Sequence, residues 1–200
     1  DGSQLFKDVP VAERHFDLDI VTQDADDNIT LAQPDGTIDT SGRHFINLSN
    51  LLNSRDNVRQ AVSDLFALVD AIEEGDVTDG THTLDASRIY YYGHSLGAIV
   101  GVPFLALESQ VRDATLLHGC GGIPKILDGS SDIGPSISAG LAANGVLKGT
   151  ADYETFLAAA QAVVDSADGV NYSLEATGYA PSAATGRGLV SSRATESLFE

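Results

Sequence analysis

Basic residues are scarce in this chain: 11 Lys and Arg stand against 29 Asp and Glu, which leaves a formal charge of −18 and a pI near 4.3. Such a field repels phosphate backbones and anionic headgroups, so nucleic acid is not an expected partner and attraction to a lipid surface has to be hydrophobic. Cysteine is nearly absent too. The single Cys120 excludes an intrachain disulfide and reads as a small residue beside a Gly-rich turn. No apolar run approaches the roughly 20 residues of a membrane helix, so no membrane span is expected. The start at Asp1 lacks the basic-then-apolar pattern of a signal peptide. What is present is 200 residues of which 42% are hydrophobic, enough for one globular domain with a single core.

Gly93-His94-Ser95-Leu96-Gly97 follows the apolar run 88–92 and precedes Ala98-Ile99-Val100, so Ser95 stands at a strand-to-helix corner. That wording and context describe a nucleophile elbow, in which a tight turn holds the serine in a strained backbone conformation. Gly93 and Gly97 are expected to remove side chains that would collide with the turn. The helix that begins at Leu96 aims its unpaired N–H groups and positive dipole end at a developing oxyanion, which makes the Leu96 N–H the first expected donor. N–H groups of residues 119–122 are further candidates. The pattern G-x-S-x-G alone is weak in a chain with 20 glycines, and the flanking strand and helix give it force.

Residues 1–48 read as an acidic loop or hairpin excursion, with Phe16 to Val21 alternating like a half-buried strand and Pro34 to Thr37 forming a turn. Asp24, Asp26, Asn28 and Asp35 copy part of a calcium-loop spacing, but Ile29 stands where that loop needs glycine, so a solvated acidic turn is the favoured reading. Residues 49–122 read as the core. Val58, Ala61, Val62, Leu65, Leu68, Val69 and Ile72 recur at three- and four-residue steps and predict a helix over 54–74, capped by Asn53 or Ser54 and ended by Gly75. A strand over 88–92, a helix over 96–108 containing Pro103, and a strand over 114–117 then predict a parallel crossover. Residues 123–175 hold three helical stretches, 123–127, 136–144 and 153–165, with no strand between them, the pattern of a lid. Residues 176–200 are a low-complexity tail, with weak helical character at 195–199.

Several blocks stand in order along the chain: Asp35-Gly36-Thr37-Ile38-Asp39-Thr40-Ser41-Gly42, Phe45-Ile46-Asn47-Leu48, Arg55-Asp56-Asn57-Val58-Arg59-Gln60-Ala61, Asp85-Ala86-Ser87-Arg88-Ile89-Tyr90, Gly93 to Gly97, and Val163-Val164-Asp165-Ser166-Ala167-Asp168 before Asn171-Tyr172. With them, the chain from about residue 35 to residue 172 resembles the central part of a bacterial extracellular lipase/esterase family of the α/β-hydrolase superfamily. The resemblance implies an α/β fold: an incomplete or minimal α/β-hydrolase parallel sheet with a helical lid-like insertion. It further implies a carboxylic ester hydrolase acting on a small acyl ester or lipid through an acyl-enzyme at Ser95, a secreted or periplasmic location, and no metal or organic cofactor.

The superfamily orders its triad nucleophile, acid, histidine, and places a glycine-bearing oxyanion loop well before the nucleophile. Here no such loop precedes Ser95, and no strand followed by an acid or a histidine follows residue 172. Of five histidines, His15, His44 and His82 precede the elbow in loop-like sections and His94 points away from its neighbour Ser95, which leaves His118 as candidate base. Asp128, Asp132, Asp165 and Asp168 are candidates for the orienting acid; in the resemblance the 165–168 segment is structural, through capping and loop hydrogen bonds. A different class of reading follows from the same gaps: a non-catalytic fragment or assembly subunit that keeps the elbow without a working triad. Missing neighbours would leave strand 88–92 with an open edge, so a homo-oligomer or a complementary hydrolase fragment is the expected partner.

Overall fold

The apolar periodicity between Val58 and Ile72 produces the longest element of the computed structural model, helix α1 (Leu51–Glu74). It begins one turn earlier than the periodicity predicts, because Asn50 supplies the cap: its side chain accepts from the Asn53 N–H at 3.3 Å. Gly75 ends it in the left-handed conformation at φ 78°. Residues 17–25, 29–40, 42, 44–48, 50–119, 121–131 and 133–176 are described, and the chain divides into two units, Asp1–Asn47 and Leu48–Glu200.

In the second unit, strand β3 (Ile89–His94) runs two residues beyond its predicted end, directly into Ser95, and helix α2 (Leu96–Leu107) follows with Pro103 inside it. Strand β4 (Val111–Leu117) pairs parallel to β3, with Tyr91 beside Ala114 and Gly93 beside Leu116. It starts three residues before the predicted 114, because Arg112 and Asp113 lie on an exposed stretch and interrupt the apolar run that marks the strand in the sequence. Tyr91, Gly93, Ala114 and Leu116 face α2, which also packs against α1. Phe104 of α2 joins the layers: its ring centroid lies 5.4 Å from that of Tyr91 and 5.5 Å from that of Phe66 on α1, within the range of favourable tilted aromatic pairs. The other face of the strand pair carries Tyr90, Tyr92, Asp113, Thr115 and Leu117, all exposed.

Three helices follow β4: α3 (Ile123–Gly129), α4 (Gly134–Ala143) and α5 (Ala151–Val164), each shifted by one or two residues from its predicted span. Single-turn 3-10 helices at Asp165–Ala167 and Gly169–Asn171 lead to the short α6 (Ser173–Ala176). The predicted features at 177–200 lie outside the described residues.

In the first unit, the alternation at Phe16 to Val21 does not make the predicted strand over its described part. The antiparallel pair is instead β1 (Thr22–Gln23) with β2 (Ile29–Leu31). Asp19 serves as a loop anchor, its carboxylate accepting from the N–H groups of Asp35 and Gly36 at 3.0 and 2.9 Å, and Asp35 accepts from the Thr37 N–H at 2.8 Å within the predicted turn. The described fold is therefore mixed α/β, with six α-helices, one parallel and one antiparallel strand pair. No described helix is long and apolar enough to cross a membrane.

Candidate active site

The corner between β3 and α2 holds its central residue against its own backbone preference. Ser95 has φ 51° and ψ −118°, a combination that non-glycine residues adopt only when their surroundings impose it, at a cost on the order of 1–3 kcal/mol. Two contacts impose it. The Ser95 N–H donates to the Leu117 carbonyl at 2.9 Å, which ties the corner to β4, and the Ser95 carbonyl accepts from the Ala98 and Ile99 N–H groups, which starts the helix. Gly93 lets the strand come this close: a Cβ there would lie 2.6 Å from the Gly97 carbonyl oxygen. Gly97 is different. A Cβ at Gly97 would meet nothing within 4 Å, so the expected collision there is absent. The Gly97 carbonyl is further held by the Tyr91 hydroxyl at 2.6 Å, and burial pushes that hydroxyl's pKa up.

The N–H groups of Leu96 and Gly97 have no described acceptor. They are the orphan donors of the α2 N-terminus and point where the helix dipole is positive, the arrangement that stabilises a developing oxyanion. The Ser95 hydroxyl makes no hydrogen bond to a described residue, and its own side chain does not cap α2.

His118 follows β4 at φ 53°, beside the end of β3. Its ring meets the His94 ring edge-on, with centroids 5.1 Å apart. The structure thus brings Ser95, His94 and His118 to one edge of the sheet without a hydrogen bond from either imidazole to Ser95 among the described residues.

The loop after His118 is fixed by Asp168, which is fully buried and accepts from four donors: the Gly122 N–H at 2.9 and 3.0 Å, the Ile123 N–H at 2.8 Å, the Gln161 amide at 2.9 Å and the Val170 N–H at 3.0 Å. Hydrogen bonds to a charged group contribute about 1.5–3 kcal/mol each, so this carboxylate is a principal tie of the region. It also removes Gly122 from the candidate oxyanion donors. Close contacts complete the fit, since a Cβ at Gly119 would lie 2.7 Å from the Ala98 Cβ and one at Gly121 2.8 Å from the Val170 nitrogen. The sequence offers Asp168 as a candidate acid and, through the resemblance, as a capping and loop-bonding residue of a structural 165–168 segment; the structure has it capping the turn at Gly169–Asn171 through the Val170 N–H. Its further bonds to Gly122 and Ile123, about 45 positions away, have no local signal in the sequence.

The other candidate acids are engaged elsewhere. Asp128 accepts from the Tyr153 hydroxyl and, at 2.9 Å, from Lys148; the Tyr153 bond first, then the ammonium, hold its carboxyl below the usual range. Asp165 accepts from the Gln161 amide at 2.9 Å at the surface. Neither meets a histidine, so neither orients an imidazole in this structure. Asp132, Cys120 and His15 lie outside the described residues.

Two histidines do sit on carboxylates. His82 bonds Asp79 at 3.0 Å within an exposed turn. His44 bonds the buried Asp39 at 2.8 Å in the first unit; burial opposes the Asp39 charge, yet bonds from the Ile20 N–H and His44 outweigh it and hold the carboxyl below the usual range. Of the calcium-type set, Asp26 and Asn28 lie outside the described residues, Asp24 is exposed and Asp35 closes a turn. No group of three potential metal ligands occurs among the described residues. No family model, no curated protein and no solved structure matches this chain.

Proposed function

We propose that the chain is a serine-dependent carboxylic ester hydrolase of α/β-hydrolase type, acting on a small acyl ester or lipid through an acyl-enzyme at Ser95. The observation that carries the reading is the Ser95 backbone: a non-glycine residue at φ 51°, held between a parallel strand and a helix whose first two N–H groups have no described acceptor. Such a conformation persists only where the surrounding contacts impose it, and strain of this kind concentrates at sites where a side chain is presented to a ligand. In the proposed reaction the Ser95 oxygen attacks the ester carbonyl, and Leu96 and Gly97 N–H groups hold the resulting oxyanion. The alcohol leaves with the proton that the Ser95 hydroxyl gives up, and water then adds to the acyl-serine, returning a proton to Ser95 as the acid departs. His118 is the base candidate that β4 brings to the same edge, and it must exchange its contact with His94 for one with Ser95. Catalytic hydrogen bonds are often absent before substrate binds.

A second reading has its own support. With no described hydrogen bond to the Ser95 hydroxyl and both Asp128 and Asp165 engaged elsewhere, the chain also fits a non-catalytic subunit whose β3, paired only with β4 among the described residues, offers its other edge to a second copy or a complementary fragment. Hydrolysis of a short-chain chromogenic ester decides between them. The enzyme reading expects turnover by the wild-type chain, none by Ser95→Ala, and a loss of about a hundredfold or more in His118→Ala with folding intact. Equal background rates in all three favour the subunit.

A further inference from the structure

A cavity of about 390 Å³ lies among α1, α3, α4 and α5, and no residue of the Ser95 corner lines it. Leu51, Leu127, Ile137, Leu141, Phe156 and Leu157 form its apolar wall, and no charged side chain among the described residues contributes. Its polar side chains are Ser136 and Asn144, and the Asn144 amide already donates to the Gly140 carbonyl at 2.9 Å. The walls are fixed in place. Asp128 at the end of α3, Ser138 on α4, Lys148 in the following loop and Tyr153 on α5 form one hydrogen-bonded cluster, with the buried Tyr153 hydroxyl at its centre.

Size and chemistry narrow the occupant. The volume falls in the range of small-molecule sites, about 300–1,000 Å³. A helix with its side chains is roughly 10 Å across, so the same volume would take only about one turn of a partner helix. A polar or charged group buried here would lose its water with almost nothing to replace it. Hydrocarbon loses nothing. The charge of −18 adds a second selection, disfavouring an anionic head at the surface.

We propose that this cavity binds a single hydrocarbon chain of a neutral-headed acyl or alkyl compound, the head staying in water. The proposal deepens the ester-hydrolase reading and rests on it for the identity of the head. Pro124, which lines the cavity, is six residues after His118 and thus at most about 22 Å from it, a span that one extended acyl ester bridges.

The chain contains no tryptophan, so Phe156→Trp places the sole indole in the cavity wall and Tyr92→Trp places one on the exposed sheet face instead. The probes are terminally brominated alkanols, which quench an indole they touch, used below their aggregation threshold and in both the Ser95 and Ser95→Ala backgrounds. Saturable one-to-one quenching of Phe156→Trp is expected, tightening about fourfold for each added methylene from octanol to decanol, with Tyr92→Trp unaffected. Quenching that favours Tyr92→Trp, or that does not depend on chain length, overturns the proposal. If Phe156→Trp does not fold, displacement of a fluorescent polyene alcohol from the wild-type chain by the same series replaces it, and absence of one-to-one binding overturns the proposal equally. Chain-length-dependent binding without ester turnover in any variant keeps the cavity and removes the hydrolase reading. Turnover without such binding does the reverse.

Discussion

The ends of β3 and β4 are built alike and finished differently. Each strand terminates in a non-glycine residue with positive φ, Ser95 at 51° and His118 at 53°, and each leads into a helix, α2 directly and α3 after a short loop. At the β4 end the protein supplies its own anion: Asp168 accepts from the Gly122 and Ile123 N–H groups where α3 begins. At the β3 end no side chain among the described residues does this, and the Leu96 and Gly97 N–H groups are left without a described acceptor. One helix start is closed by a carboxylate of the chain and the other has no such acceptor among the described residues, although both strand ends carry the same backbone signature. On the proposed function, that difference is what leaves the β3 end able to receive an oxyanion.

The largest effect is expected from breaking the closed end. Asp168→Ala leaves the part-buried Gly122, Ile123 and Val170 N–H groups and the Gln161 amide without this acceptor and should cost about 3–5 kcal/mol in urea denaturation, enough to unfold a marginal domain. Asp168→Asn keeps an acceptor of the same shape and should cost less. A loss under about 1 kcal/mol for Asp168→Ala would mean that the β4 end is not held by its carboxylate.

The open end is tested by its glycines. Gly93→Ala should destabilise by about 1–3 kcal/mol, because its Cβ would stand 2.6 Å from the fixed Gly97 carbonyl oxygen. Gly97→Ala should be near neutral or slightly stabilising, since the added methyl has space and alanine is the better helix former. The order of the two midpoints in one denaturation series checks this, and equal losses would contradict it.

The difference between these glycines also marks how far the sequence is legible. The strand-to-helix corner at Ser95 is readable because its determinants are local: strand, glycine, serine and helix occupy one continuous segment, and each constrains its neighbours. The helices after β4 are readable for the same reason, to within a residue or two. β4 is only half readable, since Arg112 and Asp113 belong to an exposed stretch and hide its start. Asp168 is readable in part: the resemblance gives its segment a capping and loop-bonding role, but nothing near Gly122 or Ile123 marks the carboxylate that serves them from about 45 positions away. A base for Ser95 poses the same difficulty, and neither Asp128 nor Asp165 supplies the acid that would orient one here.

A smaller effect compares Asp168 with an exposed counterpart. Asp79 closes the turn before β3, and bonds from the His82 ring first, then from the His82 and Thr81 N–H groups, lower its pKa from 3.8 to about 2. A carboxyl depressed in the folded state adds stability that is present above the unfolded pKa and is lost as pH falls through the folded one. The Thr78–Thr83 bridge should therefore loosen between about pH 4 and pH 2, with the Asp79 carboxyl resonance titrating near 2. Titration near 4 would show the turn to be unsupported by this residue.

The most direct test of the open end is covalent. A fluorophosphonate presents a phosphoryl oxygen to the donors at Leu96 and Gly97 while its phosphorus meets the Ser95 oxygen, so labelling reads the strained corner and the helix start together. Peptide mass spectrometry of the folded chain should find the adduct on Ser95, absent after denaturation beforehand and absent in Ser95→Ala. A folded chain that stays unlabelled at Ser95, or that labels equally when denatured, would contradict the account.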